Sequence, residues 1–181
     1  MVPETPVVAT EKVEVTSPGT ATATSRLKAT WAYTAMAIPA VPPLDSTTVG
    51  VRCDSQPGYR YPNGCANPAF TPTYVLSSAR YPSIAKFDKA QLARHPRLRT
   101  LTRATPQQLK ANRRAACKGF EPERKGDSCD EFPYASTVQG GQGAAQEHVN
   151  KAENKAQGGN LVGFYTANRL HYGERFHIEV R

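Results

Sequence analysis

Two adjacent pairs of oxygen-bearing side chains stand in the last third of the chain, Asp130-Glu131 and Glu153-Asn154. Carboxylate and amide oxygens are hard ligands of the kind that Mg and Mn take. A positioned carboxylate can also draw a proton from an attacking water. Plainer readings stand beside these. Asp130-Glu131 could form a solvated acidic turn, and Glu153-Asn154 could cap a following helix, Asn154 doing so in addition to a metal role. If Asp130 and Glu131 lie on a strand, they point to opposite faces and only one faces a site. His148, between the two pairs, is the alternative base. His171 and His177 read as surface residues, and Phe132 and Tyr134 as core aromatics.

Charge suggests what such groups would act on. The chain has 23 Lys and Arg against 15 Asp and Glu, a net +8. Between Arg80 and Lys125 stand 13 basic residues and three acidic ones (Asp88, Glu121 and Glu123), so this stretch alone carries +10. The asymmetry suggests a polyanionic partner, nucleic acid or an anionic surface; the other reading is a solubilising face. Lys110, Arg113, Arg114 and Lys118 make one predicted helix basic on its exposed side. Arg169, near the end of the last predicted helix, either complements the helix dipole or clamps a phosphate. An activated water, a Lewis acid and cations to hold a strand are what phosphodiester hydrolysis requires.

Cys53, Cys65, Cys117 and Cys129 form two pairs, each separated by 12 positions. With no CxxC and no histidine at ligand spacing, a structural zinc site is not expected. Of the three possible connectivities the local one, 53–65 and 117–129, is the simplest, and it requires an oxidising compartment. Four reduced, buried thiols in a cytosolic protein are the alternative.

Elements must position these groups. Residues 1–50 hold ten threonines and six prolines. Lys12–Thr16 and Ser25–Thr34 alternate as half-buried strands would, with a turn at Ser17-Pro18-Gly19 between them. Pro39, Pro42 and Pro43 then form an extended linker. Helical spacing begins near Ser83 with Ile84, Phe87, Ala90 and Leu92, and Pro96 stops it. The next helix is well punctuated, with Thr105 as N-cap, Pro106 at the first position, Gln108 three after the cap and Gly119 at the close. Leu161, Val162, Phe164, Tyr165 and Leu170 give a last helical run, ended by Gly173, and Phe176–Val180 alternates as a terminal strand. The predicted order is a β prefix, then α, α, β, loop, α, β. Mean hydropathy is −0.55, 39% of residues are hydrophobic, and glycine and proline total 28. That fits one domain with a modest extension. No run approaches the roughly 18 apolar residues of a membrane span, so membrane insertion is not expected. Met1 is followed by Val-Pro-Glu, without a basic or apolar leader. The expectation is a removed signal peptide, a fragment or a delivered domain.

The run CDEFPYAST (129–137), then QGG (139–141), EN (153–154), QGG (157–159), LVGFY (161–165), NRL (168–170) and GERFHIEV (173–180) resembles the NucA/NucB deoxyribonuclease domain. The resemblance covers roughly Cys129 to Val180. The upstream stretch VRCDS (51–55) and GCANPAFTPTYVLS (64–77) is similar to a cysteine-clipped lead-in of actinobacterial members. It implies an α+β fold, a minimal ββα-metal core related to His-Me-finger nucleases. The nuclease domain would span 51–181, with its catalytic core about 117–181, after a β-rich extension and linker over 1–50. It further implies a secreted or toxin-delivered, metal-dependent, sequence-nonspecific DNA endonuclease, with DNA and an immunity or inhibitor protein as partners. Carried over, Asp130 is the base, Glu131 its motif neighbour, and Glu153 with Asn154 the ligands of Mg or Mn. Gln139 stands where many members have an acid, a departure that weakens any carboxylate role there. The competing reading is a catalytically inactive nucleic-acid-binding or cell-surface interaction module.

Overall fold

The computed structural model describes residues 23–27, 49–56, 59 and 62–181. The chain divides into two compact units, Met1–Asn67 and Pro68–Arg181. In the first, β1 (Ala23–Leu27), β2 (Val49–Ser55) and β3 (Asn63–Ala66) form an antiparallel sheet with β2 in the centre. Cys53 and Cys65 face each other across β2 and β3 and are joined by a disulfide. The first unit therefore includes β2 and the cysteine loop, and its boundary falls after Asn67. The strand expected at Lys12–Thr16, its turn, residues 28–34 of the second expected strand and the proline linker lie outside the described residues.

The second unit is built on β8 (Arg175–Val180), which pairs parallel with β4 (Thr73–Leu76) and antiparallel with β5 (Thr100–Thr102). Alternation along β4 and β8 buries Tyr74, Leu76, Phe176 and Ile178 on one face, as a half-covered sheet requires. Against them pack Ile84, Phe87 and Leu92 of α1 (Pro82–Arg94) and Leu161 and Tyr165 of α3 (Lys151–Ala167). Each such side chain contributes about 1.5–3 kcal/mol on burial. A 3₁₀ turn at Pro96–Arg99 follows α1, where proline ends the helix. The second helix, α2 (Pro106–Ala116), begins as its sequence predicts: Pro106 takes the first position, and the Thr105 hydroxyl accepts from Gln108 N at 3.2 Å.

Strand β6 (Asp127–Phe132) pairs antiparallel with β7 (Ala145–Asn150), and α3 follows β7 without a break. The order β6-β7-α3 is thus ββα, within a mixed α+β unit. β7 falls in the expected loop, because Gln146, Glu147 and His148 show no apolar alternation and only Val149 is buried. The last helix starts ten residues before its predicted apolar run. Asn150 Oδ1 accepts from Ala152 N and Glu153 N at 2.9 and 3.2 Å and is the N-cap. That corrects the expectation that Asn154 caps this helix. No described helix is long and apolar enough to cross a membrane.

Candidate active site

Asp130 and Glu131 lie side by side on β6, and both border one cleft of ≈ 410 Å³. One wall is α2, through Pro106, Leu109, Lys110 and Arg113; the other is α3, through Asn154, Gln157, Gly158, Leu161 and Val162. The Cys117–Cys129 disulfide ties the end of α2 to the strand one residue before Asp130. Asn112 completes the joint: its Nδ2 donates to the carbonyls of Ala135 and Thr137 at 3.1 and 2.8 Å, holding the loop after β6. Burial along β6 does not alternate, and Asp130 and Glu131 both border the cleft, which corrects the expectation that only one of them faces the site.

Asp130 is 4% exposed, and its Oδ2 has no hydrogen-bond partner. Burial pushes its pKa up to about 7, and the Glu131 charge pushes the same way; a backbone hydrogen bond from Glu131 and the Arg113 charge oppose. An acid poised there is half ionised near neutrality, where a general base works best. Glu131 is raised by burial and drawn back by Arg113. Its Oε1 accepts from Arg113 Nη2 at 3.0 Å and from Ala135 N at 3.3 Å.

A third buried acid comes from α1. Asp88 of α1 is fully buried, and its Oδ2 accepts from the Tyr134 hydroxyl at 2.5 Å. Burial holds its carboxyl well above the ordinary range, with Asp130 adding repulsion. In the sequence Asp88 is one acid inside a basic run, and nothing local marks it.

The second oxygen pair divides. Asn154 is buried beside the cleft, with Nδ2 donating to the Cys129 carbonyl at 2.9 Å and Ser128 Oγ at 3.3 Å. Its side-chain oxygen is the remaining polar atom. Glu153 is outside the cleft lining. Its Oε1 accepts from Ser83 N and Ile84 N at 2.9 and 3.1 Å, and its Oε2 from Ser83 Oγ at 2.7 Å. Tyr81, the N-cap of α1, makes no side-chain cap bond, so Glu153 satisfies the orphan amides there, where a carboxylate also complements the dipole.

His148 pairs with Cys129 across the hairpin and Asp130 with Glu147, and His148 is not on the lining of the Asp130 cleft. It packs on Phe120 with ring centroids 4.5 Å apart and lies 3.7 Å from both Glu123 and Asp127. It borders a separate groove. Of the predicted cations, Lys110 and Arg113 border the cleft, joined by Arg103. Arg114 and Lys118 are exposed elsewhere on and just after α2, and Arg169 is buried with a φ of +46°. Gln139, in place of an acid, bridges to β5 by accepting from Thr102 N at 3.0 Å. The two glycines after it are steric. A Cβ on Gly140 would collide with the Tyr134 carbonyl; one on Gly141, whose φ is +102°, would lie 2.7 Å from Asn112 Oδ1.

Cys117, Cys129 and Glu131 offer ligand atoms within 4.8 Å of one another. The two sulfurs are bonded together, which leaves Glu131 as the single usable donor of that group. The Asn154 amide oxygen is a hard donor on the same cleft as the unpartnered Asp130 oxygen.

A family model, Deoxyribonuclease NucA/NucB, matches residues 83–179, more than half of the 181-residue chain. The chain belongs to the NucA/NucB family. The match reaches upstream of the CDEFP run and takes in α1 and α2, so Asp88, Asn112 and the α2 cations fall inside the NucA/NucB domain. No curated protein matches the chain. Membership of this family implies deoxyribonuclease activity with DNA as substrate.

Proposed function

We propose that the Pro68–Arg181 unit is a divalent-metal-dependent, sequence-nonspecific DNA endonuclease that works in an oxidising compartment, secreted or delivered. The observation that carries this reading is Asp130: a buried carboxylate with an unpartnered oxygen, raised to about 7, on a cleft rimmed by Arg103, Lys110 and Arg113. Asp130 takes a proton from water, the resulting hydroxide oxygen bonds to phosphorus, and the opposite P–O bond breaks. The leaving oxygen takes its proton from solvent. Lys110 and Arg103 draw the strand's phosphates to the cleft, and Arg113 of α2 pairs with Glu131 of β6. Asn154 would hold Mg or Mn beside Asp130, and such an ion supplies Lewis-acid stabilisation of charge on the phosphate. Backbone-directed charge of this kind reads no sequence. The ββα order of β6, β7 and α3 supports kinship with the His-Me-finger core, with Asp130 at the base position.

Nicking of supercoiled plasmid with Mg or Mn, with and without chelator, tests the reading. Cleavage abolished by the chelator and by Asp130→Asn is expected. No cleavage at any enzyme or metal concentration would leave the inactive binding module as the better reading.

A further inference from the structure

The cleft that holds Asp130 has a rim unsuited to phosphates alone. Leu109, Val162 and Tyr172 are 37%, 60% and 51% exposed, and all three border it. Apolar side chains left in water at the mouth of a basic cleft point to a ligand with both a charged and an apolar part. The Arg103 guanidinium lies between two rings, 4.8 Å from the centroid of Tyr165 and 4.6 Å from that of Tyr172. Tyr165 is fixed from behind by Ser136 Oγ, 2.9 Å from its hydroxyl.

The loop that presents Tyr172 is pinned in place. Arg103 Nη1 donates to the Leu170 carbonyl, Gly173 N donates to the Arg103 carbonyl at 2.8 Å, and Arg103 N donates to the Glu174 carbonyl at 2.9 Å. His171 N donates to Glu174 Oε2 at 2.7 Å. The loop backbone is held ahead of any ligand and the ring rests against Arg103, so less of its ordering is left to occur on binding.

We infer that Tyr172, backed by Arg103 and Tyr165, is a stacking platform for one unpaired nucleobase, seated while the adjoining phosphate meets Asp130. This rests on the deoxyribonuclease reading and adds a substrate class: single-stranded, frayed or gapped DNA ahead of closed duplex. A cleft of ≈ 410 Å³ is at the scale of a small-molecule site, fit for a nucleotide rather than a duplex. A ring stacks on any base, because every base has a π-face, so the platform adds affinity without sequence preference.

The test uses the full chain and end-labelled oligonucleotides in single-stranded, duplex and gapped-duplex form. The wild-type kcat/KM should be highest on the single strand, and Tyr172→Ala should raise KM there by roughly 5- to 100-fold with kcat little changed. Tyr172→Phe should restore binding, since the ring face remains. Val162→Ser, on the exposed rim of α3, should raise KM for the single strand in the same direction by a smaller factor. A single strand with one abasic position gives a readout that no variant's folding affects: cleavage beside the missing base should drop. Equal losses on single strand and duplex, a Phe variant as poor as Ala, or undiminished cleavage beside the abasic position would each overturn the platform. Failure of the wild type to cut any DNA would overturn the deoxyribonuclease reading itself.

Discussion

Two grooves of nearly equal volume border the β6–β7 hairpin, ≈ 410 Å³ on the Asp130 cleft and ≈ 430 Å³ beside α1. The second has Lys86, Arg94, Glu147 and His148 on its lining, and by residue type alone it is the more inviting nuclease site. The difference lies in what each polar group is already doing. Glu147 Oε1 accepts from His148 N, and Glu153, whose partner Ser83 edges that groove, is spent on the start of α1. His148 Nδ1 lacks a hydrogen bond but faces Asp127 at 3.7 Å. In the first cleft an oxygen of a buried acid has no partner at all. Unspent capacity in a buried group costs stability, and such cost is characteristic of function.

The strongest way to break this comparison is to exchange the two candidate bases. Asp130→Asn should lower turnover roughly 10²–10⁴-fold, while His148→Ala should stay within a few-fold of wild type. The stability sign separates base from scaffold. With its folded pKa raised from 3.8 to about 7, Asp130 favours folding only while neutral. That contribution is complete below its unfolded pKa and lost as pH rises through about 7. At pH 8 the Asn variant should therefore melt higher than wild type, as calorimetry would record. An active Asp130→Asn with an inactive His148→Ala would move the site to the other groove.

Next in size is the disulfide beside the acid. Removing Cys117 and Cys129 together, as serines, should cost about 3 kcal/mol in the chain-entropy model and lower the melting temperature of the catalytic unit. The matching change at Cys53 and Cys65 lies in the other unit and should leave that transition in place. Two coincident shifts would show that the units melt as one.

The pH profile sharpens the Asp130 assignment further. Below its pKa the acid holds a proton and cannot take another, so kcat/KM should fall about tenfold per pH unit on the acid side. The midpoint should lie at or below about 7, because a nearby cation favours the charged carboxylate. A flat profile from pH 5 to 8 would remove Asp130 as base. Smallest is Glu153→Gln. Losing a charged cap on α1 should cost about 1 kcal/mol and leave the metal concentration for half-maximal activity unchanged. A clear rise in that concentration would restore Glu153 as a metal ligand.

How much of this was legible depended on sequence distance. Helix α2 was readable because its signals are local: Thr105, Pro106 and Gln108 sit within four residues, and the cap bond joins two of them. The local disulfide pairing was the simplest of three connectivities and is the one present, while the sequence offered a strand at Asp130 only as a condition. The partners of the site were hidden. Tyr134 meets Asp88 across 46 positions, and Asn112 meets Ala135 across 23, and no local pattern encodes such meetings. The early start of α3 was missed because Lys151–Asn160 is polar and contains Gly158-Gly159, poor helix formers. One signal was available there: Asn150 followed by Glu153 has the spacing of a helix start.

The Gly140-Gly141 seam changes how a mutational survey of this domain should be scored. If surviving activity is the only readout, both glycines will rank beside Asp130, though neither has a side chain to offer a substrate. Any larger residue at Gly140 pushes against the Tyr134 carbonyl, and one at Gly141 against Asn112. The damage then passes through α2 and the loop after β6 to the cleft that both line. Recording soluble yield alongside activity separates the two kinds of loss. The glycine variants should fall on both axes, and Asp130→Asn on one.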